Sequence, residues 1–296
     1  PVDIQARETA LRGGFSEEYF FQTKTKADSI EMMRKSLPVL ISELYEAGRI
    51  HGIIGFGGLQ NAVIATTAMQ ALPFGFPKLI VSTVASGNRP FSLLTGPKDV
   101  VMMPSIADLS GMNPLSETIL RNAAAAIVGM VKMAGEVFDP KGLLIGATLM
   151  GATSDGIEQA IQAVRQEGYQ VVNFHSTGVG GASLESLILD GKIQAVMDLC
   201  LHEIVSQDLF GGGFSAGAAN RLEAAVKTGI TMVLSPAGLD FIDYPYIEAQ
   251  SNERINLPER KYTLHNKDVA HIKLKPDEAK KVAQIVSDRL APYKGS

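Results

Sequence analysis

The chain has 296 residues, 46% hydrophobic and 20% charged, enough to bury a sizeable core and near the length at which single cores split, so two domains are expected. A formal net charge of −4 and a pI near 5.8 supply no basic field that would hold nucleic acid by its phosphates. One cysteine, Cys200, excludes an internal disulfide, no apolar run reaches the ~18 residues of a membrane span, and Pro1-Val2-Asp3-Ile4 lacks a secretory pattern, so a soluble, cytoplasmic protein with no nucleic-acid or membrane partner is expected.

Residues 1–28 are polar and mixed, and read as an arm or linker. Over 29–48 the apolar positions Met32, Met33, Leu37, Leu40, Ile41 and Leu44 recur at helical spacing, with Gly48 placed to end the helix. A buried-strand pattern at 51–56 leads through Gly57 and Gly58 into a helix over 61–72. Strands at 77–83 and 99–103 and a long helix at 116–134 fill out a first α/β domain over 29–138.

The second domain, 139–296, repeats the alternation: strand 142–148, helix 155–167, strand 170–175, helix 182–189, strand 193–198, helix 218–227 and strand 230–235. Residues 243–258 read as irregular, 262–274 as a strand region, and 276–290 as an amphipathic final helix. Such alternation predicts α/β folding into two Rossmann-like, doubly wound parallel-sheet domains. The halves also look related by internal similarity, since 48–54 parallels 191–197 and 75–82 parallels 229–235. A complete strand-helix-strand precedes this shared unit only in the second half, so the first is expected to lack its opening βαβ.

The strongest chemical signal is the run 173–185, where His175-Ser176-Thr177-Gly178-Val179-Gly180-Gly181-Ala182-Ser183 joins a strand to a helix. Glycines let the backbone approach an anion, and the helix start stabilises negative charge. A βα turn also needs glycine simply to reverse tightly. Gly178-Val179-Gly180 with Asp198 on the next strand is a partial dinucleotide fingerprint, with Ser183 where a third glycine belongs. Similar loops occur at 150–156, at Gly57-Gly58, and at 211–217. Thr148, Gly151, Thr153, Ser154, Thr177, Ser183 and Ser215 therefore join the glycines as candidate contacts to a nucleotide or other anionic small molecule. Each of these hydroxyls could equally cap a helix.

Candidate catalytic residues are His175, Ser215 and Asp198. Gly213-Phe214-Ser215-Ala216-Gly217 fits the nucleophile-elbow pattern, and Asp240 or Asp243 followed by His265 or His271 completes the chain order of a serine hydrolase. The preceding 206–211 is not strand-like, which weighs against an elbow. Arg221 reads as a phosphate clamp or as a surface partner of Glu223 or another exposed acid, and His202-Glu203 as a crevice lining or a solvated loop. The five histidines have no zinc-type spacing.

Beyond single motifs, the residues from about 43 to 273 carry an ordered set: Leu72-Pro73-Phe74-Gly75-Phe76-Pro77-Lys78, Ser82-Thr83-Val84-Ala85-Ser86-Gly87-Asn88, Asp108-Leu109-Ser110-Gly111-Met112-Asn113, Thr148-Leu149-Met150-Gly151-Ala152-Thr153, Phe174 to Gly181, Arg221-Leu222-Glu223 and His265-Asn266. In these the chain resembles the uncharacterised bacterial and fungal family that shares the ATP-binding amino-terminal domain of the tomato mosaic virus resistance protein. That resemblance implies paired Rossmann-like subdomains, ATP as ligand, a homodimer, and no assigned reaction, while a carboxylate at a strand's carboxyl edge could hold Mg²⁺ against the phosphates or act as a base. It also implies that the family's opening βαβ and its carboxyl-terminal end are missing here. A degenerate binding or scaffold protein without catalysis is the further alternative.

Overall fold

The computed structural model describes residues 2–23, 25–85, 92–135, 140 and 142–295. Its contacts divide the chain into two compact units, Pro1–Asp139 and Pro140–Ser296. The division expected near 138–142 falls largely on residues outside the described set, as does the Ser86-Gly87-Asn88 motif.

In the first unit the expected arm is helical: α1 (Ala6–Arg12) and α2 (Glu17–Gln22) precede α3 (Lys26–Glu46), and Ser16 caps α2 by accepting the Tyr19 N–H. Thr9 and Ala10 of α1 are buried where that helix packs on α3. The chain continues as β1 (Ile53–Gly57), α4 (Leu59–Gln70), β2 (Lys78–Ser82), α5 (Ser92–Thr95), β3 (Val101–Pro104) and α6 (Pro114–Met133). The strands form a parallel sheet in the order β1-β2-β3, with central β2 buried throughout. Leu79, Val81, Ala123 and Ile127 pack one sheet face against α6, while Ile80, Ala62 and Met69 pack the other against α4. Lys78 is buried at the start of β2, where its ammonium donates to the Pro73 and Phe76 carbonyls and pairs with Asp99, each at 2.8 Å. Burial pushes this ammonium below its usual range despite Asp99.

In the second unit β4 (Leu144–Leu149), α7 (Ser154–Gln166), β5 (Gln170–His175), α8 (Val179–Leu189), β6 (Ala195–Cys200), α9 (Glu223–Thr228) and β7 (Thr231–Ala237) build a parallel sheet in the order β5-β4-β6-β7. Both parallel sheets are Rossmann-like and doubly wound. The segment expected to be irregular instead holds β8 (Phe241–Pro245) and α10 (Tyr246–Ser251), followed by the hairpin of β9 (Tyr262–Leu264) and β10 (Val269–Lys273). These three strands form an antiparallel sheet, β8-β10-β9, and α11 (Pro276–Leu290) follows. Ile242, Ile272 and Val282 of that sheet and α11 pack on Ile204, Val205 and Leu209 of a π-helical turn, Ile204–Phe210. Burying each such side chain contributes about 1.5–3 kcal/mol. The helix expected over 218–227 starts only at Glu223, because Leu222 turns left-handed at φ +74°. Among the described residues no helix is long and apolar enough to cross a membrane.

Candidate functional site

β5 hands over to α8 through the strongest glycine signal of the sequence. Gly178 has φ +87°, which a side chain would strain, and a methyl at Gly180 would land on the His175 carbonyl. The N–H groups of Gly178 and Gly181 both donate to Glu203 Oε1, at 2.8 and 2.9 Å. The anion at this helix start is therefore a carboxylate of the chain itself.

Glu203 belongs to a buried ion cluster centred on Arg221. The guanidinium donates to Glu203 at 2.5 Å, to both oxygens of Asp198 at 2.6 and 2.8 Å, and to Glu185 at 3.1 Å. Glu185 also accepts the N–H groups of Leu222 and Ala224, at 2.6 and 2.7 Å. Thr148 Oγ1 donates to Asp198 at 2.7 Å and accepts the Cys200 N–H at 2.9 Å. All four charged residues are at most 2% exposed. Burial pushes Glu185 and Glu203 above the usual carboxylate range against the pull of Arg221. Burial also opposes the charge on Arg221, but Asp198 and Glu203 hold its guanidinium firmly protonated.

Several sequence readings change accordingly. Arg221 is no surface partner of Glu223, and Glu203 is no solvated loop residue. Asp198 is neither a ribose ligand nor free for catalysis, since its carboxylate is committed to Arg221 and Thr148. Thr148, Gly178, Gly180 and Gly181 serve the packing of this cluster and its turn.

The neighbouring turn is open. After β4, Met150 is extended, Gly151–Thr153 forms one 3₁₀ turn, and α7 begins at Ser154. Thr153 Oγ1 donates to the Met150 carbonyl, and Ser154 Oγ to the Met150 and Gly151 carbonyls, so these hydroxyls shape the turn. Gly151 and Ala152 are exposed, and a Cβ built on Gly151 meets nothing within 4 Å. The Thr153 and Ser154 N–H groups bond the Met150 and Gly151 carbonyls within the turn, and no backbone bond among the described residues engages the N–H of Gly151 or Ala152.

A cleft of about 550 Å³ lies here, bounded by Met150, Gly151 and Ala152, by His175 and Thr177 at the end of β5, and by Phe214. Its other wall comes from the antiparallel sheet: Asp243 on β8, with His265 and His271 of the hairpin. Register places His271 opposite Asp243, and His271 Nδ1 bonds Asp243 Oδ1. The His265 ring packs edge-on against His271, with centroids 4.9 Å apart. Sequence order suggests Asp243, His265 and His271 as partners of Ser215. A depression of about 610 Å³ along α7 is larger but is lined mainly by acids and amides such as Asp155, Glu158 and Gln162.

Ser215 does not join them. Its side chain is fully buried, and its hydroxyl has no hydrogen-bond partner, so no Ser-His contact exists. The residues before it form the π-helical turn rather than the strand that an elbow requires. Asp240 pairs with Lys273 on the surface instead of with a histidine. Ser183 is half-buried in the second turn of α8. In the first unit, Gly57 and Asn61 border a separate, largely apolar groove of about 340 Å³ with Phe56, Leu109 and Met112, while Gly58 caps α4. Among the described residues no group of three histidine, cysteine, aspartate or glutamate side chains is placed to hold a metal ion.

Residues 1–136 match the amino-terminal domain, and residues 142–296 the carboxyl-terminal domain, of the uncharacterised protein family UPF0261. A UPF0261 protein of Clostridium tetani is 37% identical over 289 residues, covering 97% of this chain and 70% of that protein. The ToMV susceptible protein tm-1 of tomato, Solanum lycopersicum, is 32% identical over 274 residues, which are 90% of this chain and 35% of the tomato protein. A UPF0261 protein of Mesorhizobium japonicum is 35% identical over 242 residues, 82% of this chain and 59% of the relative. The chain thus spans from about a third to 70% of the length of these relatives.

Proposed function

This chain belongs to the UPF0261 family, and we propose that it binds a nucleotide, ATP or a similar phosphate-bearing small molecule, in the cleft at the carboxyl edge of β4 and β5. The observation that carries this reading is the contrast between two adjacent turns. At the start of α8 the donors of Gly178 and Gly181 are spent on Glu203, whereas Gly151 and Ala152 are exposed, with room around Gly151, and line a cleft with three histidines.

The fit is chemical as well as spatial. A cleft of about 550 Å³ lies within the size range of small-molecule sites. Phosphate oxygens would meet the N–H groups of Gly151 and Ala152 at the positive end of α7. The Thr177 hydroxyl and the His175 ring supply further donors from β5, and Phe214 offers an apolar face. Mg²⁺, when present, would arrive on the phosphates, as the cleft's one carboxylate is engaged by His271.

A thermal-shift titration with ATP, with and without Mg²⁺, tests the reading, because a ligand of the native state alone raises apparent stability. Wild-type protein is expected to melt higher at millimolar nucleotide. Gly151→Val has room for its side chain in the apo protein, so it should fold normally, within about 0.5 kcal/mol of wild type, and lose the shift. An unshifted wild type, or a full shift in the variant, would count against the site.

A further inference from the structure

Building on that binding site, we propose that the cleft is catalytic: His271, oriented by Asp243, is the general base that activates a water against a phosphate ester or anhydride of the bound molecule. No serine nucleophile is involved.

The argument begins with the tautomer. Asp243 Oδ1 accepts from His271 Nδ1, so the proton of a neutral His271 sits on Nδ1 and the lone pair on Nε2. The His271 side chain is 26% exposed and borders the cleft, whereas that of Asp243 is 11% exposed. Phe241 packs edge-to-face on the ring at 5.4 Å, and His265 packs from another side, so its orientation is fixed by packing as well as by the carboxylate.

A second histidine competes for the same carboxylate. His202 Nε2 lies 3.8 Å from Asp243 Oδ2, while its Nδ1 donates to the Gly238 carbonyl at 2.8 Å. His202 is completely buried, its Nε2 has no hydrogen-bond partner, and Phe241 covers its ring at 4.5 Å. Burial lowers the affinity of His202 for a proton despite Gly238 and Asp243. The negative charge of Asp243 is therefore kept for the histidine that reaches the cleft. The titratable groups facing His271 are Asp243 on β8, His202 after β6, and His265 in the hairpin, with His175 of β5 on the same cleft.

The step balances without an oxidant or reductant. His271 Nε2 takes a proton from water as the water oxygen bonds to phosphorus, and the bond from phosphorus to the leaving oxygen breaks. That oxygen then takes the proton from His271, so the net change is addition of water across one P–O bond. Asp243 is a positioning residue, which holds the tautomer and stabilises the transient imidazolium.

The experiment incubates the protein with ATP, ADP or AMP and Mg²⁺, reads products by phosphorus NMR, and reads binding in the same samples by thermal shift. Wild type is expected to hydrolyse at least one of them. His271→Asn and His271→Gln should keep the thermal shift and lose turnover by about 100-fold or more, with partial rescue by added imidazole. Asp243→Asn should lower turnover while leaving the shift in place. Binding without products in wild type overturns the catalytic proposal and leaves the binding site standing, as does unchanged turnover in folded His271 variants. Absence of both shift and products overturns both readings.

Discussion

Arg221 shows how little of a buried charge is visible from its neighbours in sequence. Its three acids come from α8, β6 and the start of the π-helical turn, 18 to 36 positions away, and Leu222 must turn left-handed to bring the guanidinium inward. No local pattern announces that convergence, and so an arginine on a presumed helix reads as surface. The cluster makes Gly181 the most sensitive position of the loop, since a methyl there would strike both Glu203 Oε2 and Arg221 Nε. Gly181→Ala is expected to lower unfolding stability by about 3 kcal/mol, because it disturbs a buried pair whose partners then lack compensation. Urea denaturation checks this, and a change below about 0.5 kcal/mol would show that the cluster yields easily. His202 carries a pH prediction. Its affinity for a proton is lower in the folded than in the unfolded chain, so its contribution is intact above the unfolded value of about 6.5 and is lost as pH falls below that value. The loss amounts to at most about 1.4 kcal/mol per pH unit, and His202→Asn should remove that slope between about pH 6.5 and 5. An identical slope in the variant would place the proton elsewhere.

Elements were more legible than residues wherever hydrophobic period or apolar run length decides them. The last helix runs over the expected residues, Pro276–Leu290, because its period, its proline at the start and its acidic first turn all agree. The parallel strands of the described residues are visible as short apolar runs ending in glycine or polar turns. What escaped was structure set by tertiary contact: the helices in residues 6–22, strand β8, and the π-helical turn at Ile204–Phe210. The pairing of β8 with β10 depends on partners about 28 residues apart, and from that pairing comes the juxtaposition of Asp243 and His271. The sequence order of acid and histidine hinted at this pair, but wrongly attached it to Ser215. At this scale Arg289 ties α11 to the π-helical turn through two bonds to Asp208 at 2.8 and 2.9 Å, and it also donates to the Ala219 carbonyl at 2.7 Å. Arg289→Ala should cost about 1–2 kcal/mol, between the values of exposed and buried pairs, and speed amide exchange across 204–210. Unchanged exchange there would mean that packing alone holds α11.

For the whole molecule, the two units each carry a parallel sheet and each match one domain of the UPF0261 family. Both have a glycine turn at a strand's carboxyl edge, yet among the described residues it is the second unit whose cleft combines three histidines, a threonine and an exposed turn. The proposed nucleotide site is for that reason placed in the second unit. Amide hydrogen exchange of the full chain with and without ATP and Mg²⁺ tests that assignment most directly. Protection is expected at 150–154, 175–178 and the hairpin residues 264–271, with the Gly57-Gly58 turn unchanged. Protection centred on Gly57-Gly58, or no protection anywhere at saturating nucleotide, would contradict it.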